Sequence, residues 1–130
     1  MILVDTSAWV EFFRRTGSDA NVRVRRLMSD PDSLLTTDVV LMEVLAGARD
    51  ARHLESLRRL LARCHFEPVE GPADYEAAAA LYRQCRARGV TVRALTDCLV
   101  ACVALRADCA LLQADRDFEL IAEHAPLRLA

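Results

Sequence analysis

The chain has 130 residues, of which 53% are hydrophobic and 28% are charged, and this balance predicts a single globular domain over residues 1–130. The formal net charge is -2, which excludes a polycation that binds nucleic acid non-specifically. All 17 basic residues are arginine, and the apolar stretches are short and broken by charge, so we expect no membrane-spanning segment.

Short apolar runs and longer amphipathic stretches alternate along the chain, which predicts alternating strands and helices. In chain order we predict a strand at 2–5, helices at 6–15 and 20–29, a strand at 34–37, a helix that Asp38 caps and that runs to about Ala46, a helix at 51–64 and a strand at 66–69. These are followed by a helix opened by Gly71 and Pro72 that runs to about Arg88, a helix from Thr96 or Asp97 to about Arg106, a strand at 109–113, a helix at 115–124 and a short strand at 127–129. This order predicts an α/β fold in three layers, with a central, mainly parallel sheet of four to five short strands.

Three acidic residues stand at predicted helix starts. Asp5 ends the first strand, Asp97 opens a helix, and Asp115 comes two residues after a later strand. Taken singly, each is explained as a helix N-cap, since carboxylates there accept hydrogen bonds from free N–H groups. Ligands of parallel sheets bind beyond the carboxyl ends of the strands, so neighbouring strands would bring Asp5 and Asp115 to one edge.

Glu43 is not explained as a cap, because it lies inside the apolar run VVLMEVLAG at 39–47. Its neighbours three and four residues away are apolar or small, so no side chain of its own helix can pair with it. One interpretation is that Glu43 faces solvent while the helix buries the side that carries Met42 and Leu45. We favour the other, in which Glu43 meets a bound cation directly or through water, because Glu is rarely buried unpaired.

Several carboxylates at one sheet edge repel one another unless a cation is bound. Ligand sets made only of oxygen select hard divalent ions, so we expect Mg²⁺ or Mn²⁺, as one or two ions. The three histidines, His53, His65 and His124, are scattered and offer no softer site.

The five cysteines are odd in number and include no Cys-x-x-Cys pair, which disfavours a disulfide framework or a zinc site. We interpret them as reduced core residues, which favours a cytoplasmic location.

Four segments together resemble a known family. The segments ILVDTSAWVEFF, VVLMEVLAG, TDCLVACVAL and LLQADRDFELIA occur in the order and rough spacing of the PIN-domain ribonucleases, and more narrowly of the VapC-type toxins of bacterial type II toxin–antitoxin systems. The resemblance covers nearly the whole chain. It implies a PIN-like fold and a Mg²⁺- or Mn²⁺-dependent endoribonuclease that cleaves RNA phosphodiesters with metal-activated water.

The resemblance also implies roles for individual residues and partners. It makes Asp5, Glu43, Asp97 and Asp115 the catalytic acids, and Asp5, Asp97, Asp115 and Asp117 the metal ligands, with Asp117 as an accessory or alternative to Asp115. Thr6 and Ser7 would support the site by hydrogen bonding. A VapB-like antitoxin, a homodimer and a toxin–antitoxin hetero-oligomer are the implied assemblies.

Five arginines are candidates for RNA contact, because guanidinium groups suit phosphate. They are Arg14, Arg15, Arg86, Arg88 and Arg93. Each is equally well explained as a solvated residue on a helix face.

Three other functions compete with the toxin. A non-catalytic PIN-like module would bind RNA or protein, and a PIN nuclease could act in RNA maturation without an antitoxin. Phosphatases and receiver domains also end their first strand with a carboxylate, but they use a lysine that this chain lacks.

Overall fold

A computed structural model describes residues 1–130, with four short strands and seven helices. The elements are β1 (Ile2–Val4), α1 (Thr6–Phe13), α2 (Asp19–Leu27), β2 (Leu34–Thr36), α3 (Asp38–Ala46), α4 (Ala51–Ala62), β3 (His65–Phe66), α5 (Ala73–Ala87), α6 (Leu95–Arg106), β4 (Ala110–Leu112) and α7 (Arg116–Ala122). The strands form one sheet in the order β3-β2-β1-β4, and every pairing is parallel. The predicted α/β fold with a parallel sheet of four strands is confirmed.

The neighbouring strands β1 and β4 are buried in the core. Leu3 and Val4 of β1 and Leu111 of β4 have no exposed surface, so these strands read as unbroken apolar runs. Trp9 and Phe118, the largest fully buried side chains, come from α1 and α7, the helices that follow β1 and β4. Helices α1 and α7, which begin just after these strands, are therefore anchored in the core.

The outer strands are shorter than predicted. The strand predicted at 66–69 is instead His65–Phe66, because Pro68 has no N–H with which to extend the ladder. The segment 127–129 forms a single bridge, in which Leu129 pairs with Leu111, instead of a strand. All five cysteines are buried and free, as predicted. No helix combines the length and the apolar character needed to cross a membrane.

Two predicted helix starts are wrong. The N-cap of α3 is Thr37, and the carboxylate of Asp38 instead accepts a hydrogen bond from the backbone N–H of Val69 at 2.6 Å. The N-cap of α6 is Ala94, which makes no side-chain hydrogen bond. Asp97 therefore lies within the first turn of α6 and is not a cap.

The C-terminal end of α6 is fixed by an ion-pair network around Arg106. Its guanidinium donates to Asp74 at 2.9–3.1 Å and to Glu67 at 2.7 Å. It also donates to the carbonyl of Pro68 at 2.7 Å. Asp74 is buried, and its pKa lies below the usual value because Arg106 bonds to its charged form. This network ties α6, whose other end carries Asp97, to α5 and to the segment between β3 and α5.

Candidate active site

Asp5 occupies the carboxyl end of β1 and caps α1. Its oxygen Oδ2 accepts hydrogen bonds from the backbone N–H of Ser7 at 2.9 Å and from the Ser7 hydroxyl at 2.6 Å. The backbone N–H of Asp5 donates to the carbonyl of Leu112 at 2.9 Å, which joins this position to β4. Burial raises the pKa of Asp5 against the effect of these bonds, and nearby Glu43 raises it further. Its second oxygen, Oδ1, accepts no hydrogen bond from the protein.

The hydroxyls of Thr6 and Ser7 connect three parts of the chain. Ser7 Oγ donates to Asp5 and accepts from the backbone N–H of Ala114 at 2.9 Å, so it ties Asp5 to the loop after β4. Thr6 Oγ1 donates to Oε1 of Glu43 at 3.0 Å. These contacts agree with a supporting role for both hydroxyls, in which each orients a carboxylate.

Glu43 is exposed, so it faces solvent as in the first interpretation, and no cation is needed to offset its burial. Helix α3 buries Val40 and Val44, but Met42 is 62% exposed, and an apolar run therefore does not mean an apolar environment here. In the folded protein, Glu43 meets the Thr6 hydroxyl and solvent. It nevertheless faces the same cavity as Asp5.

Asp97 is half-buried in the first turn of α6 and accepts no hydrogen bond from the protein. Its pKa is raised to about 7, first by burial and then by the negative charges of the surrounding acids. Those acids are Asp5, Asp115, Asp117 and Glu43. Of these acids, Asp97 is therefore the one to which no group of the protein donates a hydrogen bond.

Asp115 caps α7, as predicted, and lies beside Asp117. Oδ1 of Asp115 accepts from the backbone N–H of Asp117 at 2.9 Å and from Nη2 of Arg93 at 2.8 Å. Oδ2 of the buried Asp117 accepts from the backbone N–H of Arg93 at 2.9 Å and from its Nε at 3.1 Å. Arg93, a candidate for RNA contact, therefore forms ion pairs with two site acids.

The four predicted catalytic acids line one open cavity of about 430 Å³. They are Asp5, Glu43, Asp97 and Asp115, and Thr6 and Ser7 line the cavity with them. Asp117 does not line this cavity, but Asp97, Asp115 and Asp117 each offer one oxygen within 4.8 Å of the others. Each of the four cavity acids keeps at least one oxygen free of protein hydrogen bonds. The donor set is all oxygen, which suits a hard divalent cation.

A second cavity, of about 510 Å³, adjoins the first and shares Thr6 and Glu43 with it. Arg14, Arg49 and His53 also line this second cavity. Of these three residues, only Arg14 is predicted from the sequence, because nothing in the local pattern distinguishes Arg49 or His53 from other polar residues.

The remaining candidate arginines do not line the acidic cavity. Arg15 lines a separate hollow beside Phe12 and Asn21. Arg86 lies over the ring of Tyr82 at 5.7 Å, and Arg88 is exposed at the end of α5.

Comparisons with known proteins agree with this geometry. The PIN domain family model matches residues 2–124. Ribonuclease VapC11 of Mycobacterium tuberculosis is 43% identical over the whole chain and 98% of its own length. The DNA-bound VapBC structure from Salmonella typhimurium shares the fold, with a TM-score of 0.76 at 16% identity over 99% of this chain and 96% of the other. A toxin–antitoxin complex from Klebsiella pneumoniae gives a TM-score of 0.70 at 19% identity over 91% and 90%.

The raised pKa of Asp97 predicts a pH-dependent stability of the metal-free protein. Between about pH 4 and pH 7 the folded state holds a proton that the unfolded state has released, so stability falls as the pH rises through this range and is level above it. One unit of pKa shift corresponds to about 1.4 kcal/mol. Allowing for partial exposure, we expect Asp97→Asn to raise the free energy of unfolding at pH 8 by roughly 1–3 kcal/mol.

Urea denaturation in EDTA at pH 4, 5, 6, 7 and 8 measures this effect. Asp32→Asn, in the exposed turn before β2, serves as the matched control and should retain the wild-type slope between pH 4 and 7. An Asp97→Asn slope equal to that of the wild type would show that Asp97 titrates normally.

Proposed function

This chain belongs to the PIN domain family, and we propose that it is a metal-dependent endoribonuclease that acts as the toxin of a toxin–antitoxin pair. One observation carries the proposal: Asp5, Glu43, Asp97 and Asp115 line a single cavity, and each keeps an oxygen free. The 43% identity to a VapC ribonuclease over the whole chain supports the substrate class. We propose residues 1–130 as one catalytic domain.

Asp5, Asp97 and Asp115 are the residues that would hold Mg²⁺ or Mn²⁺. Their free oxygens belong to one cavity, and burial followed by the charges of the neighbouring acids raises the pKa of Asp97, which a bound cation would offset. A bound divalent ion would lower the pKa of a coordinated water and neutralise charge on the phosphodiester. The all-oxygen donor set supports a hard divalent ion, since no histidine or cysteine lines the cavity, and we propose Mg²⁺ or Mn²⁺.

Hydrogen bonds from the chain position the carboxylates for this task. Ser7 holds Asp5 through one oxygen, which directs the other oxygen away from that bond. Thr6 holds Oε1 of Glu43, which leaves Oε2 to accept a proton from, or to orient, an attacking water. These contacts restrict the carboxylate rotamers before substrate arrives.

The attacking group is water and not a side chain. The Ser7 hydroxyl in the cavity is held between Asp5, to which it donates, and the N–H of Ala114, and the Thr6 hydroxyl is held by Glu43. None of the three histidines lines the acidic cavity, so no histidine there can activate a serine. Direct hydrolysis of the phosphodiester is therefore the reaction that this arrangement supports.

A VapB-like antitoxin is the proposed inhibitor. An acidic cavity attracts an arginine or lysine side chain from a peptide, which would compete with the metal and the substrate for the same carboxylates. VapBC and toxin–antitoxin assemblies among the structural neighbours support this proposal. A homodimer in the cytoplasm, alone or within a toxin–antitoxin hetero-oligomer, is the proposed assembly.

Of the competing functions, the non-catalytic module is disfavoured, because a binding scaffold has no need to gather four carboxylates in one cavity. No observation favours RNA maturation over the toxin role.

Replacing a metal-holding acid should abolish cleavage while the fold survives. We expect Asp5→Asn and Asp97→Asn to lower the rate of RNA cleavage in Mg²⁺ by roughly 100-fold or more, since several kcal/mol of charge stabilisation are lost. EDTA should have the same effect on the wild type, and added Mn²⁺ should reverse it. Products mapped on a defined RNA, with Asp32→Asn as the active control, measure the change. Full cleavage by folded, uncontaminated Asp97→Asn protein would refute the proposal.

The arginines near the cavity are tested by the salt dependence of RNA binding. Arg14 lines the cavity next to the acids, and Arg15 follows it in sequence. If each contacts one phosphate, Arg14→Ala and Arg15→Ala should each reduce the slope of log K against log salt by about one. Binding is measured in the inactive Asp97→Asn background, with Arg83→Ala on the exposed face of α5 as the control. A slope that stays at the wild-type value rejects the phosphate contact of that arginine.

A further inference from the structure

The site acids form two overlapping groups. The first group lines the open cavity and consists of Asp5, Glu43, Asp97 and Asp115. The second group is the triad of Asp97, Asp115 and Asp117, whose ligand oxygens lie within 4.8 Å of one another. The two ions of two-metal nucleases lie roughly 3.5–4 Å apart. The two acid groups here share Asp97 and Asp115, and in this respect they resemble a site for two neighbouring ions.

The second group already holds a cation that belongs to the chain. The guanidinium of Arg93 donates through Nη2 to Asp115 at 2.8 Å and through Nε to Asp117 at 3.1 Å. One oxygen of each carboxylate is therefore used by the same planar group, which places a positive charge between two of the three acids of the second group. The first group contains no arginine contact to Asp5, Asp97 or Glu43.

The burial of Asp117 explains why this cation stays in place. The side chain of Asp117 is only 7% exposed, and a buried carboxylate without a counter-charge is strongly unfavourable. The backbone N–H of Arg93 also donates to Asp117, at 2.9 Å, which fixes the start of the arginine side chain beside its partner. The Arg93 side chain is 73% exposed, so its replacement leaves no cavity in the core.

We propose that Arg93 takes the position of a second divalent cation, so that the site binds one metal ion per chain. The inference rests on the proposed function and adds to it the metal count. Asp117 is then a positioning residue that holds Arg93 and, through its backbone N–H, Asp115; it is not a metal ligand in the wild-type protein. The ion is held by the free oxygens of Asp5, Asp97 and Asp115.

The test is the stoichiometry of Mn²⁺ binding, measured by calorimetric titration and by electron paramagnetic resonance of free Mn²⁺. We expect one ion per chain for the wild type and two for Arg93→Met, because the methionine removes the positive charge and exposes the Asp115 and Asp117 oxygens. The double variant Arg93→Met/Asp117→Asn should bind one ion again, because the second group then has only two of its three carboxylates. Arg83→Met, which removes one positive charge from the exposed face of α5, should keep one ion.

The outcomes separate this inference from the proposed function. Two ions in the wild type, or one ion in folded Arg93→Met, would overturn the proposed role of Arg93. The proposal that the chain is a metal-dependent nuclease would not be affected. A wild type that takes up no Mn²⁺ would instead overturn the proposed function. Circular dichroism and thermal melting test whether the variants fold. If Arg93→Met does not fold, Arg93→Gln, which is also neutral, takes its place.

Discussion

Mutual repulsion among carboxylates is the constraint on which the rest of this site depends. Four acids line one cavity, and a fifth, Asp117, has an oxygen within 4.8 Å of oxygens of Asp97 and Asp115. Hydrogen bonds hold Asp5, Glu43 and Asp115, and one arginine offsets part of the charge. Asp97 has no such partner, and its pKa is raised to about 7, first by burial and then by the negative charges of the other acids. A folded protein keeps such an arrangement where a bound cation relieves it.

The topology of the sheet creates this concentration of charge. Strands β1 and β4 are neighbours and parallel, so the residues after them, Asp5 and Asp115, reach the same edge of the sheet. The first turn of α6 brings Asp97 to that edge, and α3 brings Glu43 to its rim. The backbone bond from Asp5 N–H to Leu112 and the contact of Ser7 with Ala114 join the two strand ends directly. The geometry of the acidic cavity therefore depends on a few short-range bonds between the ends of two parallel strands.

Sequence patterns predicted the parts of this site that depend on local structure. Asp5 and Asp115 are caps because a carboxylate before a helix bonds to the backbone two residues on, which a single sequence can reveal. The prediction that Asp97 caps its helix is wrong, because the helix begins at Leu95, after an alanine whose side chain cannot cap it. The exposure of Glu43 depends on which side of α3 the fold covers. The bonds from Arg93 cross 22 and 24 residues, and only the folded chain shows them.

Anomalous diffraction from crystals of the metal-free protein soaked in Mn²⁺ tests the central claim most directly, because it locates the cation among the side chains. We expect one strong anomalous peak within coordination distance of Asp5, Asp97 and Asp115, with the Arg93 guanidinium still paired to Asp117. A fully soaked crystal with no peak in this cavity, or with Mn²⁺ bound only elsewhere on the surface, would contradict it.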